Sequence, residues 1–493
     1  MKKLLIKNTL FSLIYQLVTI ISAFVLPKMI LIYYGSEVNG LINSITQFLS
    51  IIAFLELGLG AVVQSALYKP LLKKDSIEQS KIYVSSQNFF SKLAFVLLVY
   101  VVILIFIYPT FINSKYDFIY TGSLIVSMSI SSFAQYYFGI TNTLLLNADQ
   151  KNYVQYYIQI ITLICSTIVC VLLIIFGFSI QIVKLISAIF YLLRPLLLNY
   201  YVNKNYSINK KIKYDKEPIK QKWDGISQHI AAIVLDGTDT IVLSVFSTLN
   251  NVSIYSVYYL VISGVKQLFN SITSGLQSTL GTIYASGDNK KLTDTFFKTE
   301  WIIHNLTIFI MGCVLTMITP FVIIYTLGIK DANYNQSFFG YILTFAYLFY
   351  CLRLPYHMLI KAGGFYKETK NKYVISAILN LLISIIMVKK YGLIGVAIGT
   401  FIAMFYQVIE LGIYSYKKVI KCNLLKFFKQ LSVDLLIIVF GIIISKIFIF
   451  NDNSISSFIL SSIKSLFIWS FIAFIFNFIF YRKDILKLFF LKK

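Results

Sequence analysis

The chain has 493 residues, of which 58% are hydrophobic and 13% are charged, and its mean hydropathy is +0.77. Soluble domains are about 45–50% apolar and about 25% charged, because water must wet their exterior. The composition therefore excludes an ordinary soluble protein and indicates an integral membrane protein. The formal net charge is +24, but nearly all the lysines lie in short segments between long apolar runs. That distribution is typical of cytoplasmic loops and argues against nucleic-acid binding.

Fourteen apolar segments are long enough to be membrane-spanning helices. A helix needs about 20 apolar residues to cross a hydrocarbon core of about 30 Å. The N-terminal apolar stretch is too long for a signal peptide, so it is predicted to be a retained first helix. The predicted spans are 9–33, 41–67, 93–112, 118–146, 154–178, 180–202, 226–249, 252–285, 301–327, 337–360, 373–388, 393–416, 431–450 and 455–480.

The connections between these spans alternate in charge. One set, which includes both termini, carries about 33 lysines and arginines, whereas the other set holds only Lys115, Lys330, Lys389 and Lys390. Cytoplasmic loops are enriched in these residues, so both termini are predicted to be cytoplasmic, in a bacterial cytoplasmic membrane. The outer connections are very short. A large external domain, as an enzyme acting on glycans outside the cell usually needs, is therefore not expected.

The chain divides into two lobes at its largest connection. We predict an N-lobe of six spans (1–202), a basic cytoplasmic linker (203–225), a C-lobe of six spans (226–416), and two further spans with a basic cytoplasmic tail (417–493). All of these segments are predicted to be α-helical.

The two lobes share landmarks at nearly one offset. Segment 34–40 resembles 248–254, an offset of 254 − 40 = 214, and segment 153–177 resembles 373–392, an offset of 392 − 177 = 215. Because each lobe has six spans, an even number, both lobes begin on the same side of the membrane. The repeat is therefore parallel, as in some secondary transporters. The sequence therefore predicts two pseudo-symmetric six-helix lobes around a central cavity.

Several motifs resemble those of one transporter family. They are Tyr-Gly-Ser-Glu-Val-Asn-Gly at 34–40, Phe-Leu-Glu-Leu-Gly-Leu-Gly at 54–60, Asp-Thr-Ile-Val-Leu at 239–243, and Asn followed by Tyr-Gly-x-x-Gly-x-x-x-Gly within 380–399. In these the chain resembles the Wzx-type polysaccharide flippases, which belong to the same superfamily as the MATE exporters and the lipid II flippase. One departure is Ile254, where the family often has glycine.

The resemblance implies a transporter rather than an enzyme. Its expected substrate is an oligosaccharide on undecaprenyl pyrophosphate, moved to the outer leaflet by alternating access for capsule, O-antigen or exopolysaccharide synthesis. Such a charged head cannot cross hydrocarbon unaided. Expected partners are membrane lipids and the glycan polymerase and glycosyltransferases of the same pathway. A MATE-like cation-coupled drug or metabolite antiporter is the alternative, and a membrane glycan polymerase or acyltransferase is a weaker one.

Cationic side chains inside the predicted spans are candidates for binding the pyrophosphate and sugar head. A charge inside the membrane indicates function, although a long side chain that reaches the interface is the rival explanation. Arg353 and His357 are four residues apart and share a helix face. The five candidates are Lys28, Arg194, Lys266, Arg353 and His357.

Three acidic residues within spans are candidates for ion coupling or gating: Glu56, Asp236 and Asp239. They are expected either to carry a coupling H⁺ or Na⁺ or to form permanent salt bridges. The five cysteines show no metal-ligand spacing and fit no disulfide framework. A nucleotide-binding motif is also missing from the sequence, so we expect no cofactor, no metal and no catalytic residue.

Overall fold

The computed structural model describes residues 2–52, 59–112, 116–213, 226–448 and 454–490. The fold is all-helical over these residues, which confirms the predicted fold class. The helices are α1 (Lys2–Ser50), α2 (Leu59–Lys73), α3 (Ser76–Phe111), α4 (Phe118–Ala134), α5 (Ile140–Ala148), α6 (Asn152–Ile175), α7 (Ile180–Asn205), α8 (Ile226–Phe246), α9 (Leu249–Ala285), α10 (Asn289–Tyr325), α11 (Ser337–Leu352), α12 (Leu354–Ala362), α13 (Tyr366–Tyr391), α14 (Leu393–Tyr414), α15 (Leu424–Phe448) and α16 (Ile455–Phe490).

Eleven helices in the described part of the chain are long and apolar enough to cross a membrane. The other three predicted spans are also helical over their described residues. The second span includes the end of α1 and most of α2, with residues 53–58 outside the described structure, and the fourth runs through α4, a π-helical turn (Gln135–Gly139) and α5. The seventh is α8, whose apolar part within the described residues is the ten-residue stretch 237–246.

The helices form two compact units. Unit 1 comprises Met1–Ile233 and Thr248–Ser253, and unit 2 comprises Val234–Ser247 and Ile254–Lys493. In unit 1, α1 packs on α6, α6 on α7, and α4 on α7. In unit 2, α14 packs on both α11 and α13, while α10 packs on α11, α15 and α16.

A glycine divides the first helix of unit 1. Gly35 has φ +85° and ψ 173°, which is a strained conformation for any other residue, so α1 kinks between its first and second predicted spans. Shortly after the kink, Asn39 Nδ2 donates to Ser253 Oγ at 2.8 Å. The two residues are 214 positions apart, which is the offset between the repeated segments 34–40 and 248–254. These two segments therefore meet within unit 1.

The glycine motif of segment 380–399 joins α13 to α14. Gly392 has φ +52°, which lets the chain reverse without a connecting loop. A Cβ on Gly395 would lie 2.5 Å from the carbonyl oxygen of Met387, and a Cβ on Gly399 would lie 2.9 Å from that of Asn380. The glycines thus allow α13 and α14 to pack backbone to backbone.

A large aromatic side chain fixes α16 in unit 2. Trp469 is fully buried and fills the space left by two glycines, Gly312 on α10 and Gly441 on α15. A Cβ on either glycine would overlap the indole ring. The last two helices are therefore packed tightly against α10.

Candidate functional site

Unit 1 holds a cavity on the facing sides of α4 and α7, lined by both apolar and polar side chains, which we term the unit 1 cavity. One part has a volume of about 490 Å³ and contains Arg194, and the adjoining part of about 390 Å³ reaches Lys184. Both parts are lined by hydroxyl-bearing side chains, Ser131, Ser132, Tyr136 and Tyr191. The cavity therefore combines two cations with donors and acceptors of the kind that bind sugars and phosphates.

Arg194 is held in place at one edge of its guanidinium. Nε donates to Thr162 Oγ1 at 2.8 Å, and the guanidinium carbon lies 4.1 Å from the ring centroid of Tyr191. Nη2 is buried, yet it has no hydrogen-bond partner among the described residues. A buried charged donor without a partner is costly, so this atom is ready to bind an acceptor.

Local helix geometry shapes the unit 1 cavity. The π-helical turn Gln135–Gly139 inserts a residue between α4 and α5, and its first two side chains, Gln135 and Tyr136, line the cavity. Such turns frequently occur at functional sites because they redirect side chains. Lys184 lies near the end of the sixth predicted span, 180–202, and is not among the five cationic candidates. The structure places it in the cavity beside Ser187 and Tyr191.

Unit 2 brings two of the predicted cations onto one aromatic ring. Lys266 Nζ lies 5.0 Å and the guanidinium carbon of Arg353 lies 4.4 Å from the ring centroid of Tyr350. The Tyr350 hydroxyl donates to Asn270 Oδ1 at 3.1 Å. We term Lys266, Tyr350 and Arg353 the unit 2 cation cluster. Sequence spacing did not predict it, because Lys266 is on α9 and the other two residues lie at the end of α11.

Arg353 lies at a break between two helices and is only 8% exposed. Pro355 has no N–H to donate, so α11 ends at Leu352 and α12 begins at Leu354. Nη1 donates to Gln407 Oε1, whereas Nε is buried without a partner among the described residues. Arg353 therefore has a spare donor, as Arg194 does.

His357 follows Arg353 by one helical turn, as expected, and its N–H donates to the Arg353 carbonyl at 3.0 Å. Its ring contacts a different residue, because Nδ1 forms a hydrogen bond with the hydroxyl of Tyr373.

Asp239 is buried, and three neutral side chains are among the donors to its carboxylate. Tyr255 donates to Oδ2 at 2.9 Å, Thr400 donates to Oδ2 at 2.6 Å, and Asn380 Nδ2 lies 3.3 Å from Oδ1. Asn380 Oδ1 is buried with no hydrogen-bond partner among the residues that the structure describes. We term these four residues the Asp239 site. It combines one carboxylate with an amide oxygen and two hydroxyl oxygens.

The close approach of α13 and α14 builds this site, since it brings Asn380 beside Thr400, with Asn380 Nδ2 2.9 Å from Thr400 Oγ1. Asn380 belongs to a motif recognised in the sequence, whereas Tyr255 and Thr400 were not predicted as site residues. A tyrosine or threonine in an apolar span carries no charge to mark it.

Of the three remaining candidates, the structure describes one fully, one in its backbone alone, and one not at all. Lys28 is half-buried on α1, in unit 1. Asp236 lies on α8, but its side chain is outside the described residues, as is the whole of Glu56.

Comparison with known proteins identifies the fold. No family model matches the sequence, and no curated protein matches it. Among solved structures, the chain is similar to a lipid II flippase, MurJ, in an inward closed conformation, with a TM-score of 0.72, 19% identity, and 97% of this chain and 100% of that chain covered.

It is also similar to two MATE transporters. An inward-facing multidrug resistance transporter of the MOP superfamily gives a TM-score of 0.60 at 13% identity, covering 82% of this chain and 95% of that one. A eukaryotic MATE transporter gives a TM-score of 0.59 at 13% identity, covering 87% of this chain and 98% of that one. The chain therefore has the membrane fold that the lipid II flippase shares with the MATE transporters of the MOP superfamily.

Proposed function

We propose that the protein is a flippase that moves an undecaprenyl-pyrophosphate-linked oligosaccharide across the bacterial cytoplasmic membrane by alternating access. The product would supply capsule, O-antigen or exopolysaccharide synthesis, with the glycan polymerase and glycosyltransferases of that pathway as partners. The observation that carries this proposal is the pair Arg194 and Arg353, each of which has one buried donor atom without a partner among the described residues.

Arginine is rare in this chain, so its presence at two positions within the membrane domain indicates a specific role for the guanidinium group. Of 44 basic residues only three are arginine, so 44 − 3 = 41 are lysine. Two of the three, Arg194 and Arg353, lie within the membrane domain. A guanidinium presents a planar fork of donors that matches phosphate oxygens, whereas an ammonium is a point charge. The two arginines therefore favour a ligand with oxyanion groups.

The surroundings of both arginines suit a glycan as well as a phosphate. Serine, glutamine and tyrosine side chains line the unit 1 cavity, and Tyr350 stands against Arg353. The similarity to a lipid II flippase over 97% of this chain supports a lipid-linked substrate. The two MATE structures cover 82% and 87% of the chain.

We also propose that Asp239 binds the coupling ion, H⁺ or Na⁺. One carboxylate with three neighbouring oxygens is suited to a hard monovalent cation, and protonation would neutralise the same carboxylate. This site also favours the second candidate function, a cation-coupled drug or metabolite antiporter.

Deletion of the gene, followed by analysis of cell lipids, separates the two functions. For a flippase, undecaprenyl-linked oligosaccharide accumulates on the cytoplasmic leaflet, and surface glycan decreases. Re-expression of the wild-type chain restores export, and a variant with both Arg194→Gln and Arg353→Gln does not. If the intermediate does not accumulate and drug sensitivity rises, the antiporter replaces the flippase as the proposed function.

A further inference from the structure

Unit 2 contains a buried network of titratable residues that is separate from the unit 2 cation cluster and the Asp239 site. Glu300 and His304 lie one turn apart on α10, Asp434 lies on α15, and all three are at most 3% exposed. His304 Nδ1 is 2.5 Å from Asp434 Oδ2, and Nε2 is 3.1 Å from the carbonyl oxygen of Leu352. A carbonyl oxygen only accepts, so Nε2 carries a proton, and the second proton lies between Nδ1 and the carboxylate.

The carboxylate of Glu300 accepts at both oxygens. Tyr356 donates to Oε1 at 2.8 Å and Tyr416 donates to Oε2 at 2.6 Å. Two ionised carboxylates and one protonated imidazole together carry one net negative charge. No lysine or arginine in the described ranges pairs with Glu300 or Asp434. A buried uncompensated charge is costly, and binding one proton would remove it.

The network opens onto a pocket at one end of the unit. Glu300, Tyr416 and Gln430 line a cavity of about 530 Å³ between α10, α15 and α16, and Gln430 Nε2 donates to Asp434 Oδ1 at 2.9 Å. The other charged or titratable groups lining this pocket are Asp294, Lys298, Lys426, Lys429 and Tyr481. Water in the pocket therefore has access to the edge of the network.

On α11, α12 and the π-helical turn after α14, the described charged groups are engaged with other partners, lie at the far end of their helix, or are exposed. Arg353, next to Leu352, donates to Gln407, and His357 pairs with Tyr373. Lys361 lies at the far end of α12, and the two lysines of the π-helical turn after α14, Lys417 and Lys418, are exposed.

We propose that Glu300, His304 and Asp434 form a proton-binding site that is loaded from this pocket, on the side of the membrane predicted to be cytoplasmic. A hydronium ion transfers its proton to a carboxylate oxygen of Glu300 and leaves as water, and the network changes from one net negative charge to none. Because His304 is bonded to Leu352, the charge of the network acts directly on the helix break that carries Arg353. The proton site does not depend on which substrate is transported.

Infrared spectroscopy of the purified full-length protein tests this site. We expect the wild type to gain a carbonyl band of a protonated carboxyl group as the pH falls. Glu300→Gln should remove a component of that band, whereas Glu410→Gln, a matched change at a carboxylate that pairs with Lys372, should leave the band unchanged. A Glu300→Gln spectrum identical to that of the wild type would overturn the proposal.

A second variant keeps Glu300 and changes only its environment. Tyr416→Phe removes a hydrogen bond to the charged carboxylate, so the midpoint of the Glu300 band should move to higher pH. An unchanged midpoint would show that this carboxyl is not the titrating group. In vesicles that hold the protein in one orientation, lowering the pH on the pocket side should increase the intensity of the band. An increase only when the pH is lowered on the opposite side would contradict loading from the pocket.

Discussion

Arg194 and Arg353 resemble each other in how they are held. Each has one nitrogen bonded to a neutral side chain, a tyrosine ring against the guanidinium plane, and one buried nitrogen without a partner in the described structure. The ring and the bonded edge fix the orientation of the fork. The donor that remains is therefore preorganised for an acceptor, which reduces the entropy lost on binding.

Replacing either arginine with lysine keeps the charge and removes the fork. We expect Arg194→Lys and Arg353→Lys each to weaken binding of a lipid-linked pyrophosphate by about 10- to 100-fold, since a hydrogen bond to a charged group is worth about 1.5–3 kcal/mol. Equilibrium binding to the purified protein measures the effect.

The exposed Arg482 provides the matched control. Arg482→Lys should bind as the wild type does. Equal affinity in all three variants would remove both Arg194 and Arg353 from the substrate site.

Asp239→Asn tests the coupling ion. Asparagine keeps an acceptor for Tyr255 and Thr400 but removes the charge, so the protein should fold while export loses its dependence on an imposed H⁺ or Na⁺ gradient. Thr400→Val should weaken the dependence, and Thr400→Ser should preserve it. Export from reconstituted vesicles measures this, and a gradient response in Asp239→Asn equal to that of the wild type would refute the assignment.

The site could be predicted in part from the sequence. A charge within an apolar run is conspicuous, so Arg194, Lys266, Arg353 and Asp239 were candidates. Glu300 was missed because the spans were divided at polar clusters, which placed it in a connection, whereas α10 begins eleven residues earlier at Asn289. His304 and Asp434 are 130 positions apart, and only packing of α10 on α15 brings them together.

At the scale of the helices, the contact between α13 and α14 depends on small residues. A methyl group at position 399 would meet the Ser384 hydroxyl and lie 2.9 Å from the backbone oxygen of Asn380. We expect Gly399→Ala to destabilise the protein by about 1–3 kcal/mol, because overpacking forces backbone shifts. It should also disturb the Asp239 site, since Asn380 and Thr400 lie on the two helices that would separate.

Gly264→Ala on α9 is the control for that substitution. A Cβ there meets no atom within 4 Å, and alanine favours a helix over glycine by about 0.5–1 kcal/mol. Thermal unfolding in detergent should therefore show a lower midpoint for Gly399→Ala and an unchanged or higher one for Gly264→Ala. Similar midpoints for the two variants would contradict tight packing at Gly399.

Hydropathy predicted the helices well but not where they break. An apolar run is helical in a membrane because backbone groups must be satisfied internally. The π-helical turn Gln135–Gly139 and the break at Arg353 fall inside the predicted spans 118–146 and 337–360. Of these two breaks, only the second has a clear marker in the sequence, Pro355. Both breaks adjoin candidate site residues.

For the molecule as a whole, the distribution of lysines predicts which ends of the helices face the cytoplasm. In a background without the five native cysteines, Lys290→Cys should resist a membrane-impermeant thiol reagent in intact cells, and Asn333→Cys should react. Both positions are exposed; Lys290 lies at the start of α10, and Asn333 lies in the connection between the end of α10 and α11. Labelling of both should occur once the cells are opened. The reverse pattern would invert the predicted topology.

The pocket that leads to Glu300 also contains a built-in reporter. The sequence has three tryptophans, and Trp301 lines this pocket, with its indole nitrogen donating to Asn477 Oδ1 at 2.8 Å. With Trp223 and Trp469 replaced by phenylalanine, Trp301 would be the sole source of indole fluorescence. The wavelength of its emission maximum depends on the local electric field. Protonation of the neighbouring Glu300 carboxylate would therefore shift the fluorescence emission maximum of the protein.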